Sequence, residues 1–155
     1  MDRKKVLIPY NFTANDEKSL DFAVRRFADD ENVEVTLFNA YTPVPEIDVR
    51  NNPVMEKMSF NLSWLRQKIN EQENGLKQAL ESLAERGFSG DRAKYLFRPL
   101  KKDVARDIID LTGNENFDFV VLNRSPARIT RFFTKSVSEK VAAGVRKDVG
   151  LFVVA

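Results

Sequence analysis

Short apolar runs, separated by longer amphipathic stretches, form the basic pattern of this chain. The runs are rich in Val, Ile, Leu and Phe, which is typical of strands buried on both faces of a sheet. They predict five strands, at residues 4–10, 33–41, 93–99, 117–123 and 149–154.

The stretches between the strands carry apolar residues every three or four positions, which indicates amphipathic helices. The longest predicted helix runs from Met55 to Arg86, and Gly75 is expected to weaken or bend it. Its first part, with Phe60 and Trp64, is alternatively a separate turn over the sheet. The apolar stripes are Leu20, Val24 and Phe27; Leu62, Leu65, Ile69, Leu76, Leu80 and Leu83; Val104, Ile108 and Leu111; and Val137, Val141 and Val145.

Strands that alternate with helices predict an α/β fold with a parallel sheet. Because the crossover connections are right-handed, the winding of the chain over the sheet is fixed. We therefore expect one domain over residues 1–155, a doubly wound, Rossmann-like, mainly parallel five-stranded sheet with helices on both faces. No repeat or linker in the sequence indicates a second domain.

The chain contains neither cysteine nor histidine. Their absence excludes disulfides, thiolate nucleophiles, Ser-His-Asp and Cys-His catalytic sets, and metal sites built on thiolate or imidazole. The acidic residues are scattered over predicted helix faces and do not pair on a common loop. They include Asp16, Glu17, Asp103, Asp107 and Glu139. We therefore expect neither an enzyme nor a metal site.

The net charge of +2 argues against a general polyanion binder. The N-terminal segment MDRKKVLIPYNF lacks the apolar core of a signal peptide. No stretch approaches the ~18 apolar residues that a membrane span needs. A cytoplasmic protein without a membrane partner is the expected class.

Open parallel sheets bind ligands beyond the carboxyl ends of their strands, where the winding reverses. The loops at 9–15 and 122–130 follow the first and fourth predicted strands, so they are the candidate positions. A phosphate is expected at the start of the last helix, where backbone N–H groups are free.

Four segments of the chain carry a resemblance to a known family. KKVLIPYNFTANDEKSLDFAV resembles its first strand and helix, and VEVTLFNAYTPVPE resembles its second strand and following loop. FDFVVLNRSPARITRFFTKSVSEKV resembles its fourth strand and ligand loop, with SVSEKV the most specific part, and VGLFVV resembles its last strand. On these segments the chain resembles the universal stress proteins along nearly its whole length.

The members of that family that bind ATP carry Gly, two residues, Gly, nine residues, Gly and then Ser or Thr. The positions with this spacing here are Leu122, Ser125, Lys135 and Ser136, so the spacing is kept while all three glycines are replaced. Ser136 and the following Val137 match the family. The resemblance also implies an aspartate and a glycine after the first strand, where this chain has Asn11 and Phe12.

These replacements disfavour ATP held in the manner of the family. Glycine allows positive φ and lets a phosphate approach the main chain, whereas Leu122 and Phe12 are expected to fill the crevice. Asn11 lacks the charge that would accept both ribose hydroxyls. No cofactor is expected, with ATP or AMP the disfavoured possibility. The candidate ligand-binding residues are Tyr10, Asn11, Ala40, Leu122, Arg124, Ser125, Arg128, Lys135, Ser136 and Val137.

Basic residues favour a different kind of ligand site. Arginine binds phosphate through two parallel hydrogen bonds, so a cluster can hold an anion without a glycine loop. The residues concerned are Arg124, Arg128, Arg131 and Lys135, together with Arg98, Lys101 and Lys102 after the third strand. The simpler interpretation is that they are solvated surface cations. Phe132 and Phe133 beside them are typical of a stacking platform, but packing explains them better than nucleic acid does.

The last predicted strand ends the chain without flanking charge and is apolar on both faces. If it lies at the sheet edge, its free backbone groups favour pairing with a second copy around a two-fold axis. The resemblance implies the same, because dimers of the family commonly pair their last strands. An edge covered by the chain's own loops is the alternative. The candidate interface residues are Val149, Leu151, Phe152, Val153 and Val154.

These observations predict a homodimeric stress-response or regulatory module that does not bind ATP in the usual way. A different protein as a further partner is a possibility. The alternative is a nucleotide or anion binder in which arginines replace the glycine loop. A phosphate-ester or nucleotide hydrolase is the weakest possibility, because the chain lacks histidine and a carboxylate cluster.

Overall fold

The computed structural model describes residues 3–44, 53–124 and 137–154, with the side chains of 53–60 left out of the description. The elements, in chain order, are β1 (Lys4–Pro9), α1 (Ala14–Phe27), β2 (Val33–Tyr41), α2 (Pro53–Glu85), β3 (Ala93–Pro99), α3 (Val104–Asn114), β4 (Phe119–Asn123), α4 (Val137–Gly144) and β5 (Gly150–Val154), with a 3₁₀ turn at Gly90–Arg92 before β3.

The five strands form one parallel sheet in the order β3-β2-β1-β4-β5. β1 is central, and Val6, Leu7 and Ile8 are fully buried. Their side chains alternate between two cores, one that includes residues of α1 and α2 and another that includes residues of α3 and α4. The predicted doubly wound α/β fold is therefore confirmed, and the winding reverses between β1 and β4.

α2 is one continuous helix of 33 residues. The alternative of a separate turn around Phe60 and Trp64 is therefore wrong, and Gly75 does not interrupt the helix. The helix ends at Glu85 and is followed, as expected, by a capping glycine, Gly87, with a φ of +124°. The next amide, of Phe88, donates to the Leu83 carbonyl at 3.1 Å. A glycine suits this position because it tolerates positive φ.

At the amino edge of the sheet, a buried arginine side chain links the segments that follow α1 and α2. Arg92 Nε donates to the carbonyl oxygen of Val33 at 3.0 Å, and Nη1 donates to that of Gly87 at 2.9 Å. Nη2 reaches the carbonyl oxygens of Ala28 at 3.1 Å and Asp30 at 2.6 Å. One side chain thus donates to carbonyls that follow both α1 and α2 and to one at the start of β2.

Within the described ranges, no helix combines the length and the hydropathy that crossing a membrane requires.

Candidate functional site

A cleft of about 410 Å³ opens at the carboxyl edge of the sheet, where β1 and β4 diverge. This is the position expected for a ligand in a doubly wound fold. Its size falls within the range of small-molecule sites. The described residues that line it are Pro9, Tyr10, Asn11, Thr13, Asp16, Phe38, Asn39, Ala40, Val104, Ile108, Leu122, Asn123, Val137 and Ser138.

Asp16 organises the polar wall of the cleft. It is the third residue of α1 in a capping box, in which the Thr13 side chain accepts from the Asp16 amide and the Asp16 carboxylate accepts from Thr13. Oδ2 also accepts from the amide of Asn11 at 2.9 Å. Oδ1 accepts from Asn123 Nδ2 at 2.5 Å, which connects β4 to α1. The buried carboxylate is thus already hydrogen-bonded on both oxygens.

Two further polar side chains are buried beside the cleft. Asn39 donates from Nδ2 to the carbonyl oxygen of Tyr10 at 2.9 Å, and its Oδ1 accepts from Gln72 at 3.4 Å. The Tyr10 hydroxyl donates to the Glu17 carboxylate. Burial, together with this bond, raises the pKa of Tyr10 above its ordinary value of 10. Tyr10 is therefore a neutral donor at physiological pH.

The opposite wall of the cleft is apolar. Leu122 is buried at the end of β4 and belongs to the core that includes residues of α3 and α4. Val104 and Val137 begin α3 and α4, and both are exposed at the cleft. The helix starts that would face a phosphate in this fold therefore present valine side chains at the cleft.

The prediction that the Phe12 side chain fills the ligand crevice is wrong, because the side chain points away from the cleft. Phe12 has a φ of +63°, in the left-handed region, and is not among the residues that line the cleft. Its ring instead lies over Gly75 of α2, in the space that a Cβ on Gly75 would need, and makes an edge contact with Tyr10. Leu122 remains as the bulky replacement at the cleft, and a substantial open volume persists beside it.

The family model of the universal stress proteins matches residues 2–152. The chain belongs to the universal stress protein family. No curated protein sequence matches it.

Solved structures of universal stress proteins share the fold at low sequence identity. The structure from Archaeoglobus fulgidus in complex with dAMP has a TM-score of 0.66 and 15% identity, with all of both chains covered. UspA from Lactobacillus plantarum has a TM-score of 0.65 and 13% identity, covering 100% of this chain and 99% of that one. A family protein from Arabidopsis thaliana with AMP bound has a TM-score of 0.58 and 11% identity, covering 98% and 92%.

The structure brings together part of the predicted ligand set of this universal stress protein. Tyr10, Asn11, Ala40, Leu122 and Val137 all line the cleft. Arg124 follows β4 but is not part of the described lining, and its amide donates to the Val154 carbonyl at 2.9 Å. The remaining candidates lie outside the described residues: Ser125, Arg128, Lys135 and Ser136.

Several lining residues were not predicted from the sequence. Asn39 interrupts the apolar run of β2, and this break in the pattern is a signal that was available. The spacing of Thr13 and Asp16 is that of a capping box, which also could have been found. The contact between Asn123 and Asp16 joins residues far apart in the chain, so no local pattern indicates it.

Basic residues at the end of β3 and just after it line a second, smaller cavity of about 280 Å³. Arg98, Lys101 and Lys102 meet there, and Phe38 lines both cavities. Whether Arg128, Arg131 and Lys135 join them stays a prediction, because these residues lie outside the described ranges. Arg98 pairs with Glu115 at 2.9 Å, and Lys102 pairs with Asp110 at 3.2 Å. Exposed pairs of this kind add little stability, but they leave these cations less available to an anion.

The described lining of the larger cleft contains no lysine or arginine. Its one acidic side chain is that of Asp16, which is already hydrogen-bonded on both oxygens. Over the described part of the chain, acidic side chains form no cluster of three that could hold a metal ion.

Proposed function

We propose that this universal stress protein is a cytoplasmic, homodimeric, non-catalytic regulatory module that does not hold ATP in the manner of the family. The observation that carries the proposal is the Leu122 side chain in the cleft wall, where the ATP-binding motif has a glycine. A Cβ-bearing residue there prevents the close approach of a phosphate to the main chain.

The charge of the cleft supports the same proposal. A triphosphate needs cations or free backbone N–H groups. The described lining supplies neither lysine nor arginine, and the Asn11 and Thr13 amides are already bonded to Asp16. Asn11 also replaces the aspartate that the family uses after its first strand, so a ribose loses its charged acceptor.

Thermal unfolding with nucleotides tests this part of the proposal. A ligand at about a hundred times its Kd stabilises a protein by about 2.7 kcal/mol, which corresponds to about 5–10 °C for a chain of this size. We expect no such shift with ATP and Mg²⁺. A shift of that size would overturn the proposal.

The alternative function is binding of a nucleoside monophosphate or another small anion through arginines. It is favoured by the open cleft and by the structural relatives solved with dAMP and AMP. A shift with AMP or inorganic phosphate, lost in Arg124→Ala, would establish this alternative. Lys147→Ala is the matched control, because Lys147 is exposed between α4 and β5, away from the cleft.

The homodimer is proposed to form through β5, which lies at the edge of the sheet. The Gly150 amide donates to the Asp118 carbonyl, and the Val154 carbonyl accepts from the Arg124 amide. Backbone groups of alternate residues point to opposite sides of a strand, so those of Leu151 and Val153 point outward. Val153 is also 45% exposed. A second β5 would satisfy these groups and cover the valine.

Sedimentation velocity tests the β5 pairing. We expect Val153→Lys to halve the mass of the species that this edge forms, because two lysines would face each other across a two-fold axis. Val153→Thr keeps the branched shape without charge and should retain the assembly. An unchanged mass for Val153→Lys would remove edge pairing from the proposal.

A further inference from the structure

The first half of α2 extends past the end of the sheet. The contact between Gln72 and Asn39 places the middle of α2 beside the last residues of β2. Residues 53–69 precede this level, and at ~1.5 Å per residue they continue for about 25 Å beyond it. Residues 63–68 are accordingly exposed on every side of the helix. We call residues 61–75, which comprise part of this projecting stretch and the first turn beside the sheet, the α2 extension.

The α2 extension carries apolar surface that nothing in the described chain covers. Trp64 is 57% exposed and Leu65 is 39% exposed. A surface helix normally turns such residues toward a core. Leu62 in the same segment is buried, so Trp64 is the large apolar side chain that stands most fully in water, on a projecting element typical of an interaction site.

One side of the α2 extension has a self-complementary order. At ~100° per residue, positions 64, 68, 71 and 75 fall within about 60° of each other. They hold, in sequence, an indole, a cation, an anion and a glycine: Trp64, Lys68, Glu71 and Gly75. One edge of the Phe12 ring packs over Gly75, and the rest of the ring is exposed to solvent. An aromatic group therefore stands at each end, with opposite charges between.

We propose that the α2 extension binds the α2 extension of a second copy, in an antiparallel crossing with its two-fold axis between positions 69 and 70. Each indole then meets the Phe12 ring of the other copy, about 8 Å from the axis. Each Lys68 meets the other copy's Glu71, so the two-fold axis creates two ion pairs between the copies. Within one copy Lys68 Nζ already lies 3.3 Å from Glu71 and 5.4 Å from the Trp64 ring centre.

This contact is independent of the proposed β5 pairing. α2 contacts β2 and β3, whereas β5 forms the opposite edge of the sheet. The same two copies cannot use both surfaces around a single two-fold axis, so the two contacts together build an assembly larger than a dimer.

The protein carries its own probe, because Trp64 is the only tryptophan in the chain. We expect the emission maximum of the full chain to move to shorter wavelength as protein concentration rises, and iodide quenching to fall, because the indole leaves water. Emission that is constant from the monomer to the largest species would overturn the proposal.

Charge reversal identifies the surface. Lys68→Glu places four carboxylates around the axis, so we expect loss of the spectral shift and of the larger assembly. Lys68→Glu with Glu71→Lys restores the opposite charges, so both should return. Lys77→Glu is the matched control, because Lys77 is exposed on the same helix about 180° away from Lys68, and it should leave assembly unchanged.

Combination with Val153→Lys separates this inference from the β5 proposal. With both contacts present, Lys68→Glu and Val153→Lys each leave a dimer, and the combined variant is a monomer. If only the α2 contact exists, Lys68→Glu alone gives a monomer and Val153→Lys has no effect. A Lys68→Glu chain that sediments and fluoresces like the unaltered chain at every concentration contradicts the α2 contact, whatever β5 does.

Discussion

Single buried polar side chains decide much of the local structure of this protein. Arg92 lies in a turn and donates to carbonyls from several parts of the chain. Asp16 accepts from the backbone amide of Asn11 and from the side-chain amide of Asn123. Buried groups of this kind are costly when one partner is removed, because the remaining partners lose both water and their hydrogen bonds.

Arg92→Lys is expected to destabilise the fold although it keeps the charge. An ammonium group cannot reach the separated carbonyls of Val33, Gly87 and Asp30 in the geometry of the guanidinium fork. We expect a loss of about 3 kcal/mol in the free energy of unfolding, measured in urea. Arg106→Lys, in an exposed pair with Asp110, should change it by no more than about 0.5 kcal/mol. Equal losses of unfolding free energy in the two variants would show that the hydrogen bonds of Arg92 do not stabilise the fold more than an exposed ion pair does.

Tyr10→Phe should reveal a pH-dependent contribution. The pKa of Tyr10 is raised, so below pH 10 the phenol is neutral in both states and its bond to Glu17 stabilises the fold fully. Above pH 10 the unfolded chain ionises first, and the stabilisation decreases as pH rises toward the folded pKa. Urea unfolding should show a deficit of about 2 kcal/mol for Tyr10→Phe at neutral pH. The deficit should shrink above pH 10, and one that grew there would contradict the raised pKa.

At the scale of elements, the hydrophobic pattern predicts the strands well because they are buried on both faces. β2 and β3 have the predicted bounds, and β1, β4 and β5 differ from them by one or two residues at an end. The direction of Phe12 could not be predicted, because it depends on a slot that Gly75 provides on a distant helix. The periodicity of apolar residues also does not reveal that α2 projects beyond the ends of the strands. Whether a helical turn is covered depends on the length of the strands beside it.

The contact between Phe12 and Gly75 can be tested with a double-mutant cycle. Alanine is favoured over glycine inside a helix by about 1 kcal/mol. In the unaltered chain, however, a Cβ at position 75 would lie 2.9 Å from the Phe12 ring, so we expect Gly75→Ala to give no gain or a loss. In a Phe12→Ala background the same change should stabilise by about 1 kcal/mol. Equal effects of Gly75→Ala in both backgrounds would exclude the contact.

At the scale of the whole molecule, the strand order places β1 in the protected middle of the sheet and β5 at one of its two edges. β1 lies in the middle of the sheet, with three fully buried residues, while β5 borders solvent. The sequence indicated the α/β class and the edge of the sheet at which the cleft opens. It did not indicate how the cleft walls are joined, because the contact between Asn123 of β4 and Asp16 of α1 forms only when distant parts of the chain are in place. The loop that follows β4 lies outside the described residues, so the predicted arginine site stays a prediction.

Amide hydrogen exchange should follow this order. We expect the amides of Val6 and Ile8 to exchange slowest, near the rate of global unfolding. The amides of Leu151 and Val153 should exchange quickly at low protein concentration and become protected as concentration rises, if β5 pairs with a second copy. Exchange of these two amides that is slow and independent of concentration would indicate that the edge is covered within one chain.

The bond from Asn123 to the Asp16 carboxylate has a mechanical consequence. At 2.5 Å it has little slack, and a displacement of about 1 Å at the end of β4 is enough to break it. The same carboxylate caps α1 through its other oxygen, so the end of β4 and the opening turn of α1 are linked across the cleft. A small shift of the last strand residue would therefore be felt directly at the start of α1, through one side-chain amide.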